Sequence, residues 1–229
     1  MRAGSGNLIM LDDIQLSQWQ DQGYLNLDHL FNGGELKAIA GEYDRLVTLD
    51  GQTLGDAKEG VFPYRAMLNF RSEALAGFVL HPALLNIATQ LLGDDVRLWW
   101  DQGINKKPGS GSFIPWHQDN GYEAGQIPAY LTFWLALDDS SRENGGLGII
   151  PGSHRGGRRR HTMRGVHAEI DASDVDAQRA IPLDATAGDI LLFSSLLVHQ
   201  TVGNRTADRE RRAWVIQYCR GDQHNFETG

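Results

Sequence analysis

The chain has 229 residues, a formal net charge of -8 and 22% charged side chains. That length allows one domain with its own core, and the acidic balance excludes a nucleic-acid binder that works through a basic surface. A single cysteine, Cys219, excludes an internal disulfide. The N-terminus has no signal-like apolar segment and no apolar run is long enough to span a membrane, so a reducing cytoplasm is the expected compartment.

The N-terminal third reads as helical. Residues Met1–Gly6 look like a flexible leader. Asp12-Asp13 caps a short helix, Ile14–Gln22, that Gly23 ends. Tyr24–Phe31 alternates like a strand, and Gly34–Val47 has helical spacing through Leu36, Ile39, Tyr43 and Leu46. Thr48–Val61 is polar and glycine-bearing and reads as a loop. Pro82–Leu92 has Pro near its start and Gly93 just past its end, the asymmetry of a helix.

From Asp94 onward the pattern becomes short strands: Val96–Asn105, Phe113–Asp119, Tyr130–Leu137, Leu147–Ile150, Asp189–Phe193, Leu196–Thr201 and Arg211–Arg220. Pro108-Gly109, Asn144-Gly145-Gly146, Pro151-Gly152 and Gly203-Asn204 punctuate them as turns, and 27 glycines supply the tight turns such a core needs. Asp171–Pro182 reads as a loop or short helix, and the basic run Arg155–His161 as a solvated loop. The expectation is a single domain over residues 1–229. It comprises a helical N-terminal layer at about 8–93 on a mainly β core at about 94–220, a double-stranded β-helix (jelly roll, cupin-like).

The chemistry concentrates in Trp116-His117-Gln118-Asp119. An imidazole and a carboxylate two residues apart on a strand share a face. By itself the pair also fits a surface aspartate at a strand end. His199 arrives much later, between Val198 and Gln200, where a hydrogen-bonded core histidine is the plainer reading. Two histidines and one carboxylate, however, make the facial triad that holds non-haem Fe(II) and leaves positions open. The strand Arg211-Arg212-Ala213-Trp214 follows, with cations able to hold an acidic co-substrate. Cys219 sits in an apolar strand pattern and reads as packed.

Five ordered blocks carry a resemblance. They are Trp99-Trp100-Asp101-Gln102 through Lys107-Pro108-Gly109, Pro115–Asn120, Tyr130–Asp138, Glu143–Leu147 with Ile150–His154, and His199–Ala213. Over residues 96–220 the chain resembles the phytanoyl-CoA dioxygenase family of Fe(II)/2-oxoglutarate oxygenases. The resemblance implies that His117, Asp119 and His199 are the iron ligands. It implies that an arginine just before the small residue of the last core strand binds the distal carboxylate of 2-oxoglutarate; with Ala213 as the small residue, this is Arg211. The turn after His199 is one residue longer than usual in the family, so a count from the histidine would select Glu210, of the wrong charge. Arg209 remains an alternative. Arg212 points to the other sheet face by alternation and reads as a solvent or rim charge. Trp134 and Thr201 match positions that contact 2-oxoglutarate in relatives, although Trp134 fits packing equally. Gln102 is a polar residue on an apolar strand and is expected to point inward. His154 reads as part of a structural turn; His29, His81, His161, His167 and His224 read as surface or packing residues.

The implied activity is a dioxygenase that uses O2 and 2-oxoglutarate to hydroxylate a C–H bond of a small-molecule substrate, releasing succinate and CO2. Asp119 favours hydroxylation or another oxidation (desaturation, ring closure, epimerisation) over halogenation, since related halogenases have a small residue there. Phe62–Arg65, Asn69, Tyr122 and the region Gly156–Ala180 are expected to cover the pocket. Two rival readings stay open at this point: a cupin-like isomerase or hydrolase using the same triad without 2-oxoglutarate, and a non-catalytic jelly-roll binding module.

Overall fold

A computed structural model describes residues 9–54, 64–123 and 127–223. The expected leader, Phe62, Pro63, His224 and the 55–61 part of the expected loop lie outside the described residues. In chain order the elements are α1 (Asp13–Gln22), β1 (Tyr24–Leu27), α2 (Gly33–Leu54), β2 (Tyr64–Ala66), α3 (Glu73–Phe78), α4 (Pro82–Leu92), β3 (Val96–Lys106) and β4 (Ile114–His117). There follow β5 (Leu131–Ala136), β6 (Leu147–Ile149), β7 (Thr162–Arg164), β8 (His167–Glu169), β9 (Ile181–Leu183), β10 (Ile190–Ser194), β11 (His199–Thr201) and β12 (Arg211–Arg220). No helix among the described residues is long and apolar enough to cross a membrane.

Local chemistry sets the helix ends. Asp12 Oδ1 accepts from Gln15 N at 2.7 Å while Gln15 Oε1 accepts from Asp12 N at 3.0 Å, a reciprocal capping box, and Gly23 closes α1 in the left-handed region at φ +78°. Pro82 opens α4, where His81 Nδ1 caps the Ala83 N–H at 3.2 Å.

Two antiparallel sheets face each other. The larger has the order β1-β10-β5-β12-β3-β2 and the smaller β4-β11-β6-β9; β7 and β8 form a separate hairpin. Alternation divides the larger sheet. Its outer face (Leu131, Phe133, Leu135, Leu192, Trp214, Ile216, Tyr218) packs on Ile39, Tyr43 and Leu46 of α2 and on Leu84 and Ile87 of α4. Its inner face (Ile104, Trp134, Ala136, Phe193, Ala213, Val215) meets Leu147 and Ile149 of β6 and Leu183 of β9. The metal-ligand candidates rise from the space between the sheets.

Several expectations need correction. α2 runs on through Thr48 to Leu54 where a loop was expected. Once a helix is nucleated, one interior glycine, Gly51, costs only about 1 kcal/mol, and nothing else there breaks the backbone. β1 stops at Leu27, four residues short of the expected end, and β11 starts only at His199, because Leu197 N bonds back to Ser194 O at 2.8 Å in a tight turn. The strand expected from Tyr24 joins the larger sheet as β1, while β2, which pairs with β3, and α3 have no counterpart among the expected elements. The segment read as a loop or short helix resolves into 3-10 turns at Ala172–Asp174 and Ala177–Arg179 and the start of β9.

Candidate metal centre

His117 and His199 are directly paired across β4 and β11, so their rings are brought side by side with centroids 4.1 Å apart. β4 ends at His117. Gln118 stays extended (φ -121°, ψ 143°) and Asp119 opens a 3-10 turn, which still returns its carboxylate toward His117. Asp119 Oδ1 lies 3.7 Å from His117 Nε2 and 3.5 Å from His199 Nε2. The three ligand atoms lie within 4.8 Å of one another, a span that one ion bridges.

The donors are prepared for a metal. His117 Nδ1 donates to Pro115 O at 2.8 Å and His199 Nδ1 to Leu197 O at 2.9 Å, which leaves both Nε2 lone pairs facing Asp119. Burial, and then the neighbouring His199, hold His117 well below the usual imidazole range, so it is the neutral, ligating form that is favoured. On the carboxylate, Oδ2 accepts from Thr132 Oγ1 at 2.6 Å and Gln217 Nε2 at 3.0 Å, so Oδ1 is the oxygen presented to the histidines. Two imidazoles and one carboxylate suit Fe(II).

The arginines separate cleanly. Arg209 is at the surface, bonded to Glu143 at 2.7 Å. Arg212 points to the helix face and joins Asp138 and Asp44 of α2, each at 2.6 Å, so it is a structural bridge and not a rim charge. Arg211 is fully buried on the inner face. Its Nη2 donates to Gly145 O at 2.8 Å and its guanidinium lies 5.4 Å from the Trp134 ring centroid. Arg211 Nε, Arg211 Nη1 and Trp134 Nε1 are buried with no hydrogen-bond partner among the described residues. Thr201 is buried on β11, two residues past His199 on the same face, and its Oγ1 accepts from Lys106 Nζ at 2.7 Å. Donors without acceptors in an interior are costly unless an acceptor arrives. A carboxylate is acceptor-only and fits them.

The sequence matches the phytanoyl-CoA dioxygenase (PhyH) family over residues 19–213, most of the chain. The chain belongs to the phytanoyl-CoA dioxygenase family. It is thereby an Fe(II)- and 2-oxoglutarate-dependent dioxygenase, with the His-Asp-His cluster such enzymes require. Phytanoyl-CoA dioxygenase 1 of Oryza sativa subsp. japonica is 35% identical over 104 residues, 44% of this chain and 37% of that protein. The probable alpha-ketoglutarate-dependent hypophosphite dioxygenase of Stutzerimonas stutzeri is 27% identical over 231 residues, covering 91% of this chain and 78% of that protein. In fold, the chain is similar to EvdO2 of Micromonospora carbonacea var. aurantiaca solved with 2-oxoglutarate. The TM-score is 0.76 at 22% identity, covering 92% of this chain and 91% of that one.

In this PhyH-family dioxygenase the remaining expected residues are dispersed around the centre. Gln102 is half-buried on the inward-facing side of β3, where its Oε1 accepts from Trp100 Nε1 at 3.1 Å. The Tyr122 ring stands edge-on to His117 with centroids 5.6 Å apart. His154 packs beneath Gly23 and bonds Gln20 O at 3.2 Å.

The basic run is not a solvated loop throughout. The buried Gln118 side chain donates to Gly157 O at 2.9 Å and accepts from Arg159 N at 2.7 Å, and His161 Nε2 accepts from Gln118 N at 3.0 Å. Arg155 and Arg160 alone among its arginines are exposed.

Sequence reasoning missed Gln118, Lys106, Thr132 and Gln217. Gln217 had a legible signal: it follows Arg211 by six residues, the same face, on an otherwise apolar strand. A groove of about 230 Å3 beside Trp116 and Gln200 opens on the other face of β4 and β11 and is separate from the centre.

Proposed function

We propose that His117, Asp119 and His199 hold the iron and that Arg211, with Trp134 and Thr201, receives the distal carboxylate of 2-oxoglutarate. In this reading the chain is one domain that hydroxylates a C–H bond of a small polar molecule. The observation that carries the assignment is the set of buried, unmatched donors on Arg211 and Trp134. An isomerase or hydrolase using the same triad has no need of a buried guanidinium with two donors to spare.

When bound, the iron lets O2 and 2-oxoglutarate be consumed together, so that C–H becomes C–OH while succinate and CO2 are released. The protein's part is placement and exclusion of water. Thr132 and Gln217 keep Asp119 Oδ2 occupied, so Oδ1 is presented in a fixed direction. Arg211 fixes the far end of the co-substrate by a planar fork that suits a carboxylate. Trp134 and Phe193 supply apolar walls, Phe193 with its ring 4.8 Å from His199. Gln102 faces inward on β3 and is a further polar contact for the co-substrate.

The substrate side is the rim formed by Tyr122, Glu123, Trp99 and Arg158. Trp99 Nε1 donates to Glu123 Oε1 at 3.1 Å and Arg158 Nη2 donates to Glu123 O at 2.8 Å. A rim that mixes aromatic edges with both charges suits a compact polar substrate better than an acyl-CoA thioester, and the hypophosphite relative is named for a small ion. The single, buried Cys219 suits a reducing compartment, so we place the protein in the cytoplasm.

The test is succinate release from Fe(II)-loaded protein offered 2-oxoglutarate, O2 and a panel of small polar metabolites beside acyl-CoA thioesters. The reading expects stimulation by a free small molecule and none in D119A or H199A. Stimulation by thioesters alone overturns the substrate class, and absence of any 2-oxoglutarate turnover, coupled or uncoupled, overturns the site assignment.

A further inference from the structure

Lys106 is fully buried, yet the mechanism above gives it no part. In the register of β3 and β12 it stands directly opposite Arg211. Residues so paired project to the same face with Cβ atoms about 5 Å apart, and like charges at such a pair oppose folding. Its stem passes close over Gly145: a Cβ there would lie 2.6 Å from Lys106 Cδ, and the glycine sits at φ +92°. The carbonyl of that same glycine accepts from Arg211 at 2.8 Å. One turn thus shapes the seats of both cations.

The Lys106 ammonium donates to Thr201 Oγ1 at 2.7 Å and to Val202 O. Because Thr201 Oγ1 accepts this bond, its own O–H is left to donate to an acceptor that enters the site. The Lys106 amine, the Thr201 hydroxyl and the unmatched donors of Arg211 and Trp134 therefore lie side by side between the sheets.

We propose that Lys106 is the second cation of the co-substrate pocket: with the Thr201 hydroxyl it joins Arg211 in holding the distal carboxylate of 2-oxoglutarate, and it makes the pocket selective for a dicarboxylic keto acid. The inference rests on the assignment of Arg211 to that carboxylate. A dicarboxylate places negative charge beside both groups, so the Lys106 amine can carry its proton next to Arg211. A keto acid with no second carboxylate brings no such charge and leaves the amine neutral.

Charge state gives a second readout. Burial, with the Arg211 charge next, pushes Lys106 down to about 6, so in the empty protein at neutral pH the amine is largely uncharged. Among the described residues, the charged and titratable groups acting on this cluster include Arg211 on β12 and His167 on β8, with Tyr43 and Asp138 acting on Arg211. Entry of a carboxylate favours the ammonium, so 2-oxoglutarate binding draws in a proton and pyruvate binding does not.

The experiment is anaerobic calorimetric titration of the Fe(II)-loaded protein, its K106M, K106R and R211Q variants, with 2-oxoglutarate and with pyruvate, in two buffers of different ionisation enthalpy at pH 7.5. K106M is expected to weaken 2-oxoglutarate binding on the order of tenfold to a hundredfold, leave pyruvate binding unchanged and abolish proton uptake, while K106R retains part of the affinity. If K106M binds 2-oxoglutarate like the parent protein while R211Q is weakened, Lys106 is structural only and the Arg211 assignment stands. If neither variant is weakened, the Arg211 assignment fails as well. Equal weakening toward both keto acids also overturns the inference, because it reports a damaged pocket. Should K106M not fold, the parent protein alone decides: equal proton uptake with both ligands contradicts the proposal.

Discussion

Thr132 Oγ1 donates to Asp119 Oδ2 at 2.6 Å, and Gln217 Nε2 donates to both of them, at 3.0 Å to the carboxylate and 3.1 Å to the hydroxyl. A hydrogen-bonded triangle thus fixes the carboxylate of the candidate metal centre from neighbouring strands of the larger sheet. Partners of this kind set ligand direction, and their loss typically costs about 10- to 100-fold in metal affinity. T132V and Q217L are expected to weaken Co(II) or Fe(II) binding by that order with unchanged far-UV dichroism. Unaltered metal affinity in both would show that Asp119 keeps its direction without them.

Arg211 and Arg212 are adjacent but serve different faces. R211Q is expected to raise the 2-oxoglutarate concentration needed for half-maximal binding, with little effect on metal affinity. R212Q removes the bridge from β12 to Asp44 and Asp138. Its expected effect is a loss of about 1–3 kcal/mol of stability in urea unfolding with co-substrate binding unchanged. An exchange of these two phenotypes would mean that the co-substrate lies on the helix side of the sheet.

Gly103 on β3 lies under the Tyr43 ring of α2. A Cβ at this position would fall 2.4 Å from Tyr43 Cε2, and Tyr43 is itself buried. G103A therefore forces the helix away from the sheet and is expected to cost about 1–3 kcal/mol, read as a lower urea midpoint. A midpoint equal to that of the parent protein would show that this seam has slack.

The depressed Lys106 gives stability a definite pH slope. An ordinary lysine titrates at 10.5 and this one at about 6, so between those values the unfolded chain binds more protons than the folded one. The contribution of this residue to stability therefore rises with pH across that window. Urea unfolding of the metal-free protein at several values from pH 6.5 to 9 is expected to show the parent gaining on K106M as pH rises. A constant difference across the range would mean that Lys106 is not depressed.

Much of this was legible because it depends on short-range rules. Pro82 and Gly93 bounded α4, the Asp12 cap and Gly23 bounded α1, and Arg211–Arg220 matched β12 residue for residue. Alternation along β12 already separates Arg211 from Arg212 in the sequence. The Trp116–Asn120 block and the later His199 named three residues that the fold brings within one ion's reach.

What stayed hidden depends on long-range partners. Nothing local distinguishes Thr132 from any strand threonine until Asp119, thirteen residues away, turns back onto it. Lys106 reads as a strand-end lysine, which ordinarily faces water, and only its register against Arg211 shows it inside. Arg158 and Arg159 look solvated by composition; the buried Gln118 amide pulls their loop onto the strand that carries His117. The helical run from Thr48 to Leu54 escaped notice because polar residues and one glycine are poor evidence of a stop.

The measurement closest to the central claim is the visible spectrum of the protein reconstituted anaerobically with Fe(II) and titrated with 2-oxoglutarate. If His117, Asp119 and His199 hold the iron and leave two adjacent positions for the keto acid, a weak charge-transfer band grows and saturates. D119A and H199A then show no band, and R211Q reaches the same band only at higher 2-oxoglutarate. An iron-loaded parent protein that gives no band at any 2-oxoglutarate concentration, or a D119A variant that gives the full band at the parent's concentration, would contradict the account.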